Sequence, residues 1–416
     1  VNSGNGESTL LHREKDSAWV NLDQTTPRWI NKGSQFLWST ERSGFWQLEL
    51  RSKTGALQNA VTLPSLGYRR LIAVDEKRGR AYVSASQRST ESHVAEVRLE
   101  SAKQGARWLT KATGNHSLTF SRDHQRYVHT AFPATGGIDY SVQNLEGKKL
   151  CTIRSLAEKV PFKPNLEYLA VGNKKQFSSL IVRPWNFEKG RKYPVIVYVY
   201  GGPHYRVVSR SPSRYLIQQW LADHGFIVVM IDGRGTPYGG REWERAIKGN
   251  LVDHQLEDQT TALKLLGETY SELDMNRVGV YGWSFGGYMT AMMTMRRGDV
   301  YKAGIAGAPV ADWRDYDTHY TERYLDLPAL NEAGYKNSSV MTWADKMTRP
   351  LLIIHGTIDD NVYFMHALKM SHTLFRAGKA HSLLPLSGAT HGVYDKVGLR
   401  RLYERMAQFF EAHLKP

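Results

Sequence analysis

Arg277-Val-Gly-Val-Tyr-Gly-Trp-Ser-Phe-Gly-Gly-Tyr-Met289 is the stretch on which the fold turns. Val278 to Tyr281 is a short apolar run of the kind that forms a buried strand. Tyr288 to Arg297, rich in Met, Ala and Thr, reads as a helix stopped by Gly298. Between them lies Gly282-x-Ser284-x-Gly286, on the strand-turn-helix context that a nucleophile elbow requires. The glycines let two backbones cross closely, and the turn lifts the Ser284 hydroxyl above the sheet. The amide of Phe285 then faces the place where an oxyanion would form. A Gly-rich turn merely packed under a sheet is the alternative. An acid and a histidine in the right places decide between the two.

Around this stretch, apolar runs alternate with helical ones. The runs are 180–182, 195–200, 226–231, 278–281, 303–306, 351–354 and 383–386, with helices expected over 215–224, 253–266, 288–297, 365–376 and 399–414. Fully apolar strands alternating with helices imply a doubly wound, mostly parallel sheet covered on both faces. Sites on such sheets form at the carboxyl ends of the strands. Two strand ends after Ser284 carry suitable chemistry. Leu351–Ile354 runs into His355-Gly-Thr-Ile-Asp359-Asp360-Asn361, where either aspartate could be the acid and the other a helix cap. Leu383–Leu386 runs into a Gly-flanked loop carrying His391. Ser, acid, His is the chain order of α/β-hydrolase triads. In that scheme His391 is the general base, and the aspartate orients its imidazole. His355 precedes the acid and suits a structural role. The second oxyanion donor is expected from Tyr200-Gly-Gly-Pro203, whose tyrosine hydroxyl could reach the site.

The 416 residues leave room for more than this one domain. With 41% apolar and 23% charged residues the composition is globular, and no apolar run approaches a membrane span. The single cysteine, Cys151, excludes an internal disulfide and a Cys-based metal site. The net charge of +15 comes from scattered Lys and Arg rather than a basic tract, so no nucleic-acid partner is expected. No metal or cofactor is expected either. The start, Val1-Asn-Ser-Gly-Asn-Gly6, has neither Met nor an apolar signal core, and reads as a trimmed or partial chain.

Residues 1–158 follow a different pattern: short β-type runs between polar turns. Phe36-Leu-Trp-Ser, Ala81-Tyr-Val-Ser and Arg126-Tyr-Val-His are placed alike and start 45 residues apart, each leading through a hairpin into a second strand. That period suggests about three blades of a partial β-propeller. A closed propeller needs at least four, so an open sheet edge is expected to need cover. Residues 159–190 are expected to hold a polar link, through about 176, and the first hydrolase strand. The catalytic domain is expected over 191–416.

Five ordered motifs resemble the prolyl oligopeptidase family of serine peptidases. They are Tyr200-Gly-Gly-Pro203, Asp232-Gly-Arg-Gly235, Gly282-Trp-Ser-Phe-Gly-Gly287, His355-Gly-Thr-Ile-Asp-Asp-Asn-Val362 and His391-Gly392. Trp283, with Trp313-Arg-Asp-Tyr316-Asp-Thr-His-Tyr320-Thr-Glu-Arg-Tyr324, is similar to the dipeptidyl peptidase IV branch in particular. The resemblance implies an α/β-hydrolase preceded by a β-propeller. It implies Asp359 as the triad acid, Tyr200 and the Phe285 amide as oxyanion donors, and Asn361 as a ligand for a substrate carbonyl. It further implies a proline pocket from Val310, Trp313, Tyr316, Tyr320 and Val362. Flat aromatic walls suit a flat apolar ring. Phe285 stands where the nearest relatives have tyrosine, which leaves its backbone role intact.

Members of the branch bind the substrate's free amine with paired glutamates on an early blade, and residues 1–160 contain no Glu-Glu pair. From the motifs and the pocket, the leading expectation is a peptidase cleaving after a penultimate proline or alanine, releasing N-terminal dipeptides; the missing pair is what keeps other readings open. A broader acyl hydrolase (an oligopeptidase, an acylaminoacyl-type peptidase or an esterase) is the second reading. A non-catalytic propeller module with a relic hydrolase is the third. The apolar stripe Leu402–Phe410 and the habits of relatives suggest a homodimer. Relatives of this kind are often exported or membrane-anchored, which points to a periplasmic or extracellular site.

Overall fold

The computed structural model describes residues 4–173 and 175–415. Val1 to Ser3, within the start read as trimmed, lie outside the described residues, as do Lys174 and Pro416. The chain divides into two compact units. One is Val1–Lys163 with the short segments Ser209–Ser213 and Tyr238–Glu242; the other is Pro164–Val208, Arg214–Pro237 and Trp243–Pro416.

The first unit is all-β. Three four-stranded antiparallel meanders follow one another in the chain. Their strands are Arg28–Ile30, Gln35–Thr40, Gln47–Ser52 and Leu57–Ala60; then Tyr68–Asp75, Arg80–Ala85, His93–Arg98 and Ala106–Trp108; then Gly114–Phe120, Arg126–Pro133, Asp139–Asn144 and Lys149–Thr152. The three repeated tetrapeptides fall on the second strand of each sheet, and Leu37, Tyr82 and Tyr127 occupy equivalent buried positions. One apolar core joins the first two sheets through Leu37, Leu48, Leu71 and Val83. A smaller one joins the second and third through Tyr82, Val94, Leu118 and Tyr127. Every fourth strand escaped the sequence reading. These outer strands are three or four residues long and largely exposed, so no apolar alternation marks them. Residues ahead of the first sheet run along it. A Cβ on Gly55 would lie 1.6 Å from the Leu11 carbonyl, and the Trp38 indole donates to Glu14 at 3.2 Å.

The second unit is built on an eight-stranded sheet. Its strands are β1 (Leu166–Val171), β2 (Phe177–Val182), β3 (Tyr193–Tyr198), β4 (Ile227–Asp232), β5 (Leu273–Trp283), β6 (Tyr301–Gly307), β7 (Leu351–Gly356) and β8 (Ser382–Leu386). The spatial order is β1-β2-β4-β3-β5-β6-β7-β8. β1, β2 and β4 pair antiparallel, and every pairing from β4 through β3 to β8 is parallel. Helices α1 (Leu216–Asp223), α2 (Asp253–Thr269), α3 (Phe285–Arg296), α4 (Thr318–Leu325), α5 (Met365–Arg376) and α6 (Lys396–Leu414) connect or follow these strands. β4 and β7 are buried along their whole length, and β3 at every residue but Tyr198, as their apolar runs require.

Two expectations are corrected. The stretch read as a link contains β1, so residues 159–190 hold two hydrolase strands rather than one. β1 is an edge strand whose residues are only half-buried, and its Glu167 and Tyr168 break the apolar signal. The apolar stripe of α6 packs on its own sheet. Leu402, Met406, Phe409, Phe410 and Leu414 join Tyr281, Ala303 and Ile305 in the main core. Each such side chain contributes roughly 1.5–3 kcal/mol by burial. Exposing the stripe to form a dimer would forfeit of order 10 kcal/mol, as much as a whole domain's net stability. The stripe is a core feature and offers no dimer surface.

Candidate active site

Ser284 is the pivot between β5 and α3. Its backbone sits at φ 60°, ψ −121°, a region that costs a non-glycine residue about 1–3 kcal/mol. The turn is tight enough that three glycines are obligatory. A Cβ on Gly282 or Gly286 would lie 2.3 Å from the Val199 carbonyl, and one on Gly287 would lie 2.1 Å from that of Gly307. The Ser284 amide donates to the Gly307 carbonyl at 2.9 Å, which ties the elbow to β6. Ser284 occupies the N-cap position of α3, yet its hydroxyl makes no capping bond. Among the described residues the Phe285 amide has no acceptor, as expected of a first helical N–H. A hydroxyl and an unpaired amide thus stand side by side at the positive end of a helix.

Asp359 follows β7 and His391 follows β8, both at the carboxyl edge that carries Ser284. Nδ1 of His391 lies 2.8 Å from Oδ2 of Asp359. The other carboxylate oxygen accepts the amides of Asn361 at 3.0 Å and Val362 at 2.9 Å. The Asp359 side chain is fully buried, while that of His391 is 23% exposed. An anion buried with three N–H partners holds one orientation. His391 must then carry its proton on Nδ1, which leaves Nε2 as the basic nitrogen. His355, fully buried, donates from Nε2 to the Val362 carbonyl at 2.7 Å and lies 3.3 Å from Oδ2 of Asp359. Burial holds its imidazole below the usual histidine range, so it braces the Asp359–Val362 turn as a neutral group. Asp360 makes none of these contacts.

Tyr200 stands two residues beyond the end of β3. Its ring packs against Tyr205 (5.0 Å between centroids) and Phe285 (5.8 Å). Burial pushes its hydroxyl well above the ordinary phenol range, so it remains a proton donor. The loop after it is fixed by Asp232, at the end of β4, which accepts the amides of Val207 at 2.9 Å and Val208 at 3.0 Å. In the sequence Asp232 stands out only as part of a motif, because a contact across 25 residues leaves no local signature.

The aromatic residues converge. Trp313 stacks on Tyr320 at 5.9 Å and 13°, and meets Tyr316, Phe285 and Tyr288 edge-on or tilted at 5.1–5.7 Å. Trp313 is buried, while Tyr316 and Tyr320 remain half-buried. The Tyr316 hydroxyl donates to Oδ1 of exposed Asn361 at 2.9 Å, which leaves the NH2 of that amide as its donor. Val310 and Val362 are buried, at 2% and 0% exposure, as is Trp313 at 2%. Val362 bonds Asp359 and His355 through its backbone. His366 was missed altogether; buried, it accepts the Ala311 amide at 3.1 Å and pins the segment leading to Trp313.

This arrangement has known counterparts. The profile of the prolyl oligopeptidase family matches residues 212–416, and that of the dipeptidyl peptidase IV N-terminal region matches residues 1–132. Human dipeptidyl peptidase 8 is 40% identical over 209 residues, 49% of this chain and 23% of that protein. A protein of Aspergillus terreus named "probable dipeptidyl-aminopeptidase B" is 34% identical over 313 residues, 72% of this chain and 34% of its own length. The crystal structure of Porphyromonas gingivalis dipeptidyl peptidase 4 superposes with a TM-score of 0.86 at 30% identity, over 93% of this chain and 55% of that one. The chain thus spans between 23% and 38% of the length of the curated relatives it matches. Both halves of the chain, in the same order and with the same fold, place it in the prolyl oligopeptidase family, beside the dipeptidyl peptidase IV-like peptidases.

Proposed function

We propose that the chain is a serine peptidase that hydrolyses peptide bonds after proline or alanine through an acyl-enzyme on Ser284, releasing N-terminal dipeptides. The observation that carries this reading is the His391–Asp359 hydrogen bond at the strand edge that also presents Ser284. His391 Nε2 accepts the Ser284 proton as the hydroxyl oxygen bonds to the scissile carbonyl carbon. Negative charge collects on the carbonyl oxygen, where the Phe285 amide and the Tyr200 hydroxyl donate to it. The imidazolium, stabilised by Asp359, returns the proton to the leaving amine, and water repeats the sequence to release the acid. The Trp313, Tyr316 and Tyr320 cluster supplies flat walls for a proline ring, and the NH2 of exposed Asn361 suits a substrate carbonyl.

A second reading, a broader acyl hydrolase with no demand for a free amine, would use the same Ser284 and His391–Asp359 pair. The two separate in one assay with Ala-Pro p-nitroanilide, its N-acylated form and a short-chain nitrophenyl ester. Cleavage of the free-amine compound alone supports dipeptidyl specificity. Equal cleavage of the blocked compound overturns it in favour of the second reading. A homodimer would have to use surfaces other than the α6 stripe, and the mass in solution at micromolar concentration tests for one.

A further inference from the structure

The residue before the nucleophile holds the backbone of the base. Nε1 of Trp283 donates to the carbonyl oxygen of His391 at 2.6 Å. The indole is itself immobilised: it packs against the main core of the sheet, and its ring lies so close to β6 that a Cβ on Gly307 would fall 2.0 Å from it. The same Gly307 carbonyl receives the Ser284 amide. Trp283 and Ser284 are thus seated on one point of β6.

The loop that carries His391 is well anchored on its incoming side. The Ile358 amide donates to the Ala389 carbonyl at 3.2 Å, and the Gly388 amide to the Thr357 hydroxyl at 2.9 Å. A Cβ on Gly356 would fall within 2.2 Å of the Thr390 carbonyl, so β7 and the loop touch backbone to backbone. The outgoing side differs. Among the described residues, the backbone amides of 391–394 donate to nothing within the protein, so beyond His391 the chain is held by the packing of Val393 on the main core and by Asp395, which caps α6. Tyr394 is 83% exposed. At His391 itself two bonds hold the chain: the side chain to Asp359 and the carbonyl to Trp283.

We infer that the Trp283 indole N–H is the positioning group that fixes the main chain of His391 relative to Ser284, so that nucleophile and base move as one unit. The inference rests on the acyl-transfer reading above. A single bond to Asp359 leaves the imidazole free to pivot with its backbone, whereas a second at the carbonyl removes that freedom. Misplacing a reacting group by about 1 Å can lower a rate by about 10²-fold. Trp283 touches no reacting atom in this role, so its loss should lower kcat and leave KM little changed.

The decisive variant keeps the ring and removes only the N–H. Site-specific benzothienylalanine at 283 replaces N–H by sulfur at nearly constant volume, and Trp283→Phe serves as the ordinary counterpart. The expected result is a fall in kcat of about tenfold or more with KM within about threefold, and an equal fall in the rate of fluorophosphonate labelling of Ser284. The same replacement at exposed Trp185 should change neither rate. Unchanged kcat and labelling in the sulfur variant would overturn the inference while leaving the triad reading intact. A wild-type chain that neither cleaves nor labels would sink both. If the phenylalanine variant fails to fold, the sulfur variant alone decides.

Discussion

Nδ1 of His391 lies 2.8 Å from Oδ2 of Asp359, although the two residues are 32 positions apart and leave different strands. The bond sets the tautomer of His391. Asparagine at 359 would offer either a carbonyl oxygen or an NH2 group to that nitrogen, and two of its other contacts are N–H donors that demand an acceptor. Asp359→Asn should therefore fold nearly as well as the wild type but lose about 10³–10⁴ in kcat, since a wrongly protonated imidazole cannot accept the serine proton. Steady-state kinetics beside a thermal melt checks this. Retention of a tenth of the activity would rule out Asp359 as the orienting acid.

Tyr200 offers a hydroxyl whose burial keeps it protonated far into alkaline solution. Tyr200→Phe keeps the ring contacts with Tyr205 and Phe285 and removes only the donor. A loss of about 10²–10³ in kcat is expected, with KM nearly unchanged, because the bond forms to charge that develops in the transition state. The activity of the wild type should show no decline below about pH 10 attributable to this phenol. A KM effect alone would mean that Tyr200 binds substrate rather than oxyanion.

Gly356 ends β7 in contact with the histidine loop. Alanine there would bring its Cβ within 2.2–2.3 Å of the Thr390 and Ala389 carbonyls, both backbone atoms that cannot rotate aside. Gly356→Ala should displace the loop, lowering the melting temperature by several degrees and kcat by more than tenfold. Wild-type kcat in this variant would show that the loop position is not critical.

The third sheet of the first unit holds a chain of neutral imidazoles. The Ala112 carbonyl accepts from Nε2 of His116 at 2.6 Å, so Nδ1 of His116 must accept from Nε2 of His129 at 2.9 Å, and Nδ1 of His129 accepts from Gln143 at 3.0 Å. Burial lowers both imidazoles, His129 to about 4. Between about pH 6.5 and 4 the unfolded chain binds protons that the folded sheet refuses. Unfolding then takes up protons, and stability falls as the pH is lowered through that window while remaining whole above it. Melting curves between pH 7.5 and 4.5 should show this slope, and His129→Gln should flatten it. A melting temperature independent of pH over that range would contradict the assignment.

Much of this was legible because the physics is local. The elbow declares itself by glycines that no other residue could replace at Gly282, Gly286 and Gly287, and the buried parallel strands by unbroken apolar runs. Asp359 was separated from Asp360 only by family resemblance. In space it is Asp359, not Asp360, that bonds His391 and accepts the backbone amides of Asn361 and Val362. The Trp283–His391 bond, the Asp232 clamp and the His116–His129 chain were not legible. Each joins distant strands through polar atoms, and neither hydrophobic period nor turn chemistry records such pairings. The α6 stripe misled for the converse reason, since helical spacing reports an apolar face without saying what covers it.

The central claim is that Ser284 is a nucleophile activated by His391. Incubation with a fluorophosphonate, followed by peptide mass spectrometry, tests it most directly. One phosphonyl group per chain, located on Ser284, is expected in the wild type, with labelling slowed at least 10²-fold in His391→Ala. No adduct on Ser284 in a folded wild-type chain, or equal labelling in the histidine variant, would contradict the account.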